Sequence, residues 1–185
     1  RQMAAWPQLF GADLGLWVNV SGQQLSRSGF VDSFLTTLQS TGMSADHLGI
    51  DVEETTFAQL DTTREHALSN LHRAGVRLAV DGFGLGNSSL RALRKLPLAL
   101  IKIGRPIVDF VTQPDSDAAQ LVPLAVKLAG SLGASVVAVG VERRDQLEAL
   151  RDLHCEWYQG LLAGLPLTPE ELADQLAEGR LTVTE

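Results

Sequence analysis

The chain has 185 residues, 45% of them hydrophobic, enough to bury one sizeable core in a single domain. No apolar run reaches the roughly 18 residues that a membrane-crossing helix needs. Fifteen Lys and Arg against 22 Asp and Glu give a net charge of -7, which repels a phosphate backbone and argues against DNA or RNA as a partner.

The first ten residues, RQMAAWPQLF, carry neither an initiator Met nor the charged-then-apolar layout of a signal peptide, and read as a cut end. A strand is predicted over 14–20 (LGLWVNV), with Asn19 near its end. Residues 28–42 read as a helix, apolar at Phe30, Val31, Phe34, Leu35 and Leu38 and stopped by Gly42. The next strand, 47–52 (HLGIDV), carries Asp51, and a helix capped by Asp61 runs from there to Gly75. Strand 76–81 (VRLAVD) closes on Asp81, and strand 98–103 (LALIKI) carries Lys102. A long helix follows, with Ser116 or Asp117 as its cap and Pro123 predicting a kink inside it. Strand 135–140 (SVVAVG) has Glu142 just beyond it, then a helix begins at Arg144. Strand 155–160 (CEWYQG) contains Gln159, and the final helix opens on Thr168 and Pro169.

Strict alternation of strand and helix implies parallel strands joined by crossover helices. An open doubly wound sheet and a (β/α)8 barrel both satisfy it. Six strands fall short of eight, and a barrel takes about 250 residues and at least about 200, so the length suits a barrel without its first β/α elements. Each strand carries a polar residue at or near its C-terminal end: Asn19, Asp51, Asp81, Lys102, Glu142 and Gln159. In a barrel those ends converge on one face. Oxygen donors of this kind suit Mg²⁺ or Mn²⁺ over zinc, and a lysine suits phosphate.

Six segments, in order, resemble the EAL domain, a bacterial signalling module that hydrolyses cyclic di-GMP. WVNVSGQQL resembles that family's V-N-L-S segment, and IDVEETT its E-[IL]-T-E-[ST]. LAVDGFGLGNSSL resembles D-D-F-G-T-G-x-S-S-L, and LPLALIKIG resembles L-P-[VI]-D-x-[IL]-K-I-D. VVAVGVERRDQLEAL resembles V-[IV]-A-E-G-V-E-[TN]-x-x-Q, and YQGLLAGLPL resembles Q-G-[YF]-x-[FL]-[AGS]-x-P. The resemblance implies a (β/α)8 TIM-like barrel over residues 1–185, a single domain truncated at its N-terminus, with the E-A-L tripeptide upstream of residue 1. The EAL at 148–150 falls inside a predicted helix and is coincidental.

By resemblance, Asn19, Asp51 and Asp81 match metal ligands, although Asp51 stands where the family has a longer glutamate. Lys102, Glu142 and Gln159 match catalytic positions, and Glu54 matches a glutamate that steadies the loop after the D-D pair. Three departures from the pattern remove carboxylates from the implied site. Gly82 replaces the second aspartate of the D-D pair, Val139 the first glutamate of A-E-G-V-E, and Gly104 the aspartate after the lysine-isoleucine pair. Glycine and valine offer no side-chain oxygen, so the implied Mg²⁺ or Mn²⁺ site is incomplete and tight metal binding is not expected. The implied function is cyclic di-GMP signalling without catalysis, through a protein partner, a homodimer or weak nucleotide binding, in the cytoplasm. A working phosphodiesterase that opens cyclic di-GMP to pGpG is the alternative.

Remaining features read as structural. The glycines at 82, 84 and 86 do not make a G-x-G-x-x-G phosphate loop. Trp6, Trp17 and the phenylalanines read as core. The four histidines share no metal-ligand spacing. Charges over 142–152 read as mostly a solvated helix face, Cys155 as a buried apolar residue, and Asn19 and Asn87 as incidental matches to a glycosylation sequon.

Overall fold

The computed structural model describes residues 15–86 and 90–178. The readings of Trp6, of Asn87 and of the N-terminal end fall outside those residues. Strands β1 (Leu16–Asn19), β2 (Leu48–Glu53), β3 (Arg77–Phe83), β4 (Leu100–Ile103), β5 (Ser135–Val139) and β6 (Trp157–Gln159) form one sheet in that spatial order. Every neighbouring pair is parallel. A doubly wound sheet reverses its strand order at a switch point. Here chain order and spatial order coincide throughout, so the sheet curls as part of a barrel wall and the doubly wound alternative is excluded.

The helices are α1 (Gly22–Leu25), α2 (Phe30–Thr41), α3 (Glu54–Ala58), α4 (Thr62–Arg73), α5 (Leu90–Leu93), α6 (Arg105–Val108), α7 (Asp117–Leu132), α8 (Arg144–Asp152) and α9 (Pro169–Ala177). Their ends follow local chemistry. The Asp61 side chain accepts from the Arg64 amide, and Ser116, not Asp117, caps α7 by accepting from the Ala119 amide. Thr168 and Glu171 form a reciprocal capping box at α9, with Pro169 in the first turn. Gly42 ends α2 at φ 72°, a left-handed conformation that glycine adopts without strain. Helix α7 runs through Pro123.

Side chains alternate across the sheet, as strand geometry requires. Ile50, Val52, Leu78, Val80, Ile101, Ile103, Val136 and Ala138 pack outward into a core shared with Leu68 and Leu71 of α4 and Val122 and Ala125 of α7. Burying each large aliphatic side chain there contributes about 1.5–3 kcal/mol. The other face of the strands is concave and carries the polar residues.

Two differences from the sequence reading bear on the site. Short helices α1, α3 and α6 occupy loops between strand and main helix, and α5 lies directly between β3 and β4; all are too brief for apolar periodicity to reveal. Strand β3 also extends past Asp81 through Gly82 and Phe83, with a register shift against β4 between Val80 and Phe83.

Candidate functional site

Register sets the rows of the concave face. Asn19 lies beside Asp51, Glu53 beside Asp81, Lys102 beside Val137, and Val139 beside Gln159. At its centre the Lys102 ammonium donates to Asp51 Oδ2 at 2.6 Å. Both residues are buried, Asp51 at 7% and Lys102 at 8% exposure. Long-range pairing of β1 to β2 and of β2 through β3 to β4 brings together residues 51 positions apart in sequence.

Trp17 corrects the core reading. It lies half-buried on the concave face, its ring centroid 5.6 Å from Lys102 Nζ and 5.3 Å from Arg77 Cζ. Gly49 makes room for it, since a Cβ there would run into the indole. Among the phenylalanines, Phe57 is buried as expected, whereas Phe110 is exposed.

The loop after β3 is anchored from α3. Buried Glu54 accepts from the Gly84 amide at 3.1 Å and the Gly86 amide at 2.7 Å through one oxygen, Oε2. Gly82 sits in the β3 register shift at φ 71°, a left-handed backbone that favours glycine. Glu142 turns to Arg105, 3.0 Å away, a residue with no role in the sequence reading. Arg105 lies against Gly140, where an added Cβ would come within 2.9 Å of the arginine Cβ.

Gln146 was hidden by the charge cluster around it. Most of the 142–152 segment is solvated as expected, but Gln146 is buried at 1% exposure. Its amide oxygen accepts from the Glu142 and Arg143 backbone amides, both at 3.0 Å, and its nitrogen donates to the Val108 carbonyl. The residue thereby fixes the chain that carries Glu142. The one sequence signal for it is the closing glutamine of the V-E-[TN]-x-x-Q pattern. Cys155 is buried as expected, and desolvation pushes its thiol up to about 11.

The structure thus joins Asp51 to Lys102 directly and sets Asn19 beside them. Asp81 and Gln159 share the face, and Glu142 is drawn to Arg105. Among the described residues, no three His, Cys, Asp or Glu side chains form a group that could hold a metal ion. Asp51 commits Oδ2 to Lys102, and its Oδ1 is buried with no hydrogen-bond partner. That leaves the second Asp51 oxygen and the adjacent Asn19 amide at this end of the face, with Glu53 further along the same strand as Asp51 and Asp81 and Gln159 on other strands.

Sequential parallel strands with polar residues on the concave face define a protein of the β/α-barrel class. The chain belongs to the EAL domain family, whose model matches residues 1–166. It is 36% identical over 177 residues to MucR of Pseudomonas aeruginosa, a bifunctional diguanylate cyclase/cyclic di-GMP phosphodiesterase, covering 96% of this chain and 26% of MucR. It therefore spans about a quarter of that relative's length. The solved PaMucR phosphodiesterase in complex with c-di-GMP aligns with a TM-score of 0.86 at 36% identity, covering 92% of this chain and 69% of that one. Klebsiella pneumoniae BlrP1, solved with manganese and cy-diGMP, aligns with a TM-score of 0.74 at 26% identity, over 86% of this chain and 40% of BlrP1. No helix among the described residues is long and apolar enough to cross a membrane.

Proposed function

We propose that this chain is an EAL domain of cyclic di-GMP signalling that has given up metal-dependent hydrolysis and acts by binding. The observation that supports this is the donor set: positions 82, 104 and 139 offer no side-chain oxygen, while retained Asp51 is held by Lys102 at 2.6 Å. Opening a phosphodiester with two metals needs anionic ligands to hold the ions and lower the pKa of a bound water. The face keeps groups suited to recognition instead. Lys102 can meet an anionic phosphodiester, and Asn19 and Gln159 can exchange hydrogen bonds with it. Because Lys102 is already paired, nucleotide binding is weak, and a protein partner or a second copy is the main recipient of the signal. Absence of the first β/α elements from this chain, and a cytoplasmic setting, belong to the same proposal.

A working phosphodiesterase is the second reading, favoured by the relatedness to MucR and by retained Asn19, Asp81, Glu142 and Gln159. Incubation of the full-length protein with cyclic di-GMP and Mg²⁺ or Mn²⁺, followed by quantification of pGpG, separates the two. No metal-dependent product above background is expected. Turnover within tenfold of an active homologue, abolished by Lys102→Ala, would establish the second reading.

A further inference from the structure

Three departures from the EAL pattern meet at one point in space. Gly82 and Gly104 stand where the pattern has aspartates, and Leu85 stands where D-D-F-G-T-G has threonine. The two glycines are neighbours in the fold: a Cβ on Gly104 would lie 3.6 Å from the Gly82 Cα. A single leucine methyl sits between them. Leu85 Cδ1 is 3.1 Å from a Cβ placed on Gly104 and 4.0 Å from one placed on Gly82.

Leu85 is held there by its backbone. Its amide donates to the Gly82 carbonyl at 3.3 Å, closing a tight turn over that glycine. On either side, the Gly84 and Gly86 amides are latched to Glu54. The residue nevertheless remains 55% exposed, so burial in the core does not account for a leucine at this place. We propose that Leu85 is the residue that closes this site to divalent metals, by filling the space in which carboxylates at positions 82 and 104 would meet. A methyl group offers no lone pair to a cation, and it shields the adjacent backbone from the water that a hydrated ion brings. The inference rests on the reading that the chain does without metal. It goes beyond that reading in placing exclusion on an added apolar group as well as on lost carboxylates.

The test uses the full-length protein with Mn²⁺ alone as probe, by calorimetry and by electron paramagnetic resonance. Carboxylates are restored with Gly82→Asp, Gly104→Asp and Val139→Glu, once with Leu85 kept and once with Leu85→Thr added. Mn²⁺ should bind about tenfold more tightly to the protein carrying Leu85→Thr, a coupling expected of residues in contact. Equal affinity in both restored backgrounds overturns the role of Leu85 while leaving the proposed function intact. Mn²⁺ binding by the parent, lost in Asp51→Asn, overturns both. A simpler pair guards against misfolding: Gly104→Asp should lower the melting temperature with Leu85 present, and Leu85→Thr should recover most of the loss. The same loss in either background refutes the contact.

Discussion

Lys102→Met probes the central ion pair most directly. Both partners are at or below 8% exposure, so the pair is largely removed from bulk water. The substitution keeps the length and apolar stem of the side chain, and with it much of the packing against Trp17. It leaves Asp51 buried with neither oxygen paired, because Oδ1 already has no hydrogen-bond partner. Breaking a buried pair from one side costs about 3–5 kcal/mol, mostly the desolvation of the charge left behind. At about 2–4 °C per kcal/mol for a chain of this size, the melting temperature should fall by about 6–20 °C. The double substitution Asp51→Asn with Lys102→Met removes both charges and should recover most of that loss. Urea titrations of the four proteins in the cycle supply the measurement, with the denaturant slope checked for constancy. A single-variant cost below about 1 kcal/mol, or additive losses in the double variant, would refute the claim that these charges hold each other in a site shielded from solvent.

Glu54→Ala removes the shared acceptor of the Gly84 and Gly86 amides and should cost about 2–3 kcal/mol. Hydrogen exchange at those two amides should accelerate well before the β-sheet core opens; unchanged protection would show that the loop holds itself. Cys155 has its thiol pushed up to about 11 from an ordinary 9.0 by burial, so it stays neutral near pH 8 and should react with a disulfide reagent far more slowly in the folded protein than in urea. The same shift sets a pH window. The unfolded thiol ionises first as pH rises past 9, which favours unfolding, so this contribution is present below pH 9 and lost progressively up to about pH 11. Cys155→Ala should flatten that alkaline loss, and an identical profile would contradict it.

The strands were legible because buried parallel strands are short runs of β-branched and aliphatic residues, as in IDV and VRLAV, and because Asp61, Gly42 and Thr168 punctuate the helices with ordinary capping chemistry. Barrel-like order over a doubly wound sheet was not decidable from alternation, since both place a helix after every strand. The site was legible where a single residue carries the chemistry, as at Lys102, and illegible where a role depends on a distant contact. Arg105 gives no signal until Glu142 is seen 3.0 Å from it, and Gln146 looks solvated among charges until its burial is known. Trp17 misled because aromatic residues are usually core, whereas a glycine on the neighbouring strand lets this one lie flat inside the sheet. Gly82 reads from sequence as a lost ligand, yet its left-handed backbone inside a register shift is a second and independent reason for glycine.

Charge balance links the proposed loss of hydrolysis to the weak nucleotide binding proposed with it. Two like charges about 4 Å apart cost about 1 kcal/mol in water and about 4 kcal/mol near a protein surface, so a face with six carboxylates demands cations. In the EAL pattern, positions 82, 104 and 139 would add three carboxylates to Asp51, Asp81 and Glu142. This chain lacks those three, and here Asp51 is matched by Lys102 at 2.6 Å and Glu142 by Arg105 at 3.0 Å. Two of the remaining carboxylates on this side of the sheet thus have a cation from the chain itself, while Asp81 and Glu53 lie beside each other further along the face. A phosphodiester arriving there competes with Asp51 for the Lys102 ammonium, and displacing it leaves a buried carboxylate unpaired at a cost of about 3–5 kcal/mol, against about 1.5–3 kcal/mol for a charge-assisted hydrogen bond to the ligand. On the proposed function the Asp51–Lys102 pair competes with the nucleotide, so Asp51→Asn, which frees Lys102 while leaving an acceptor beside it, should tighten cyclic di-GMP binding rather than weaken it.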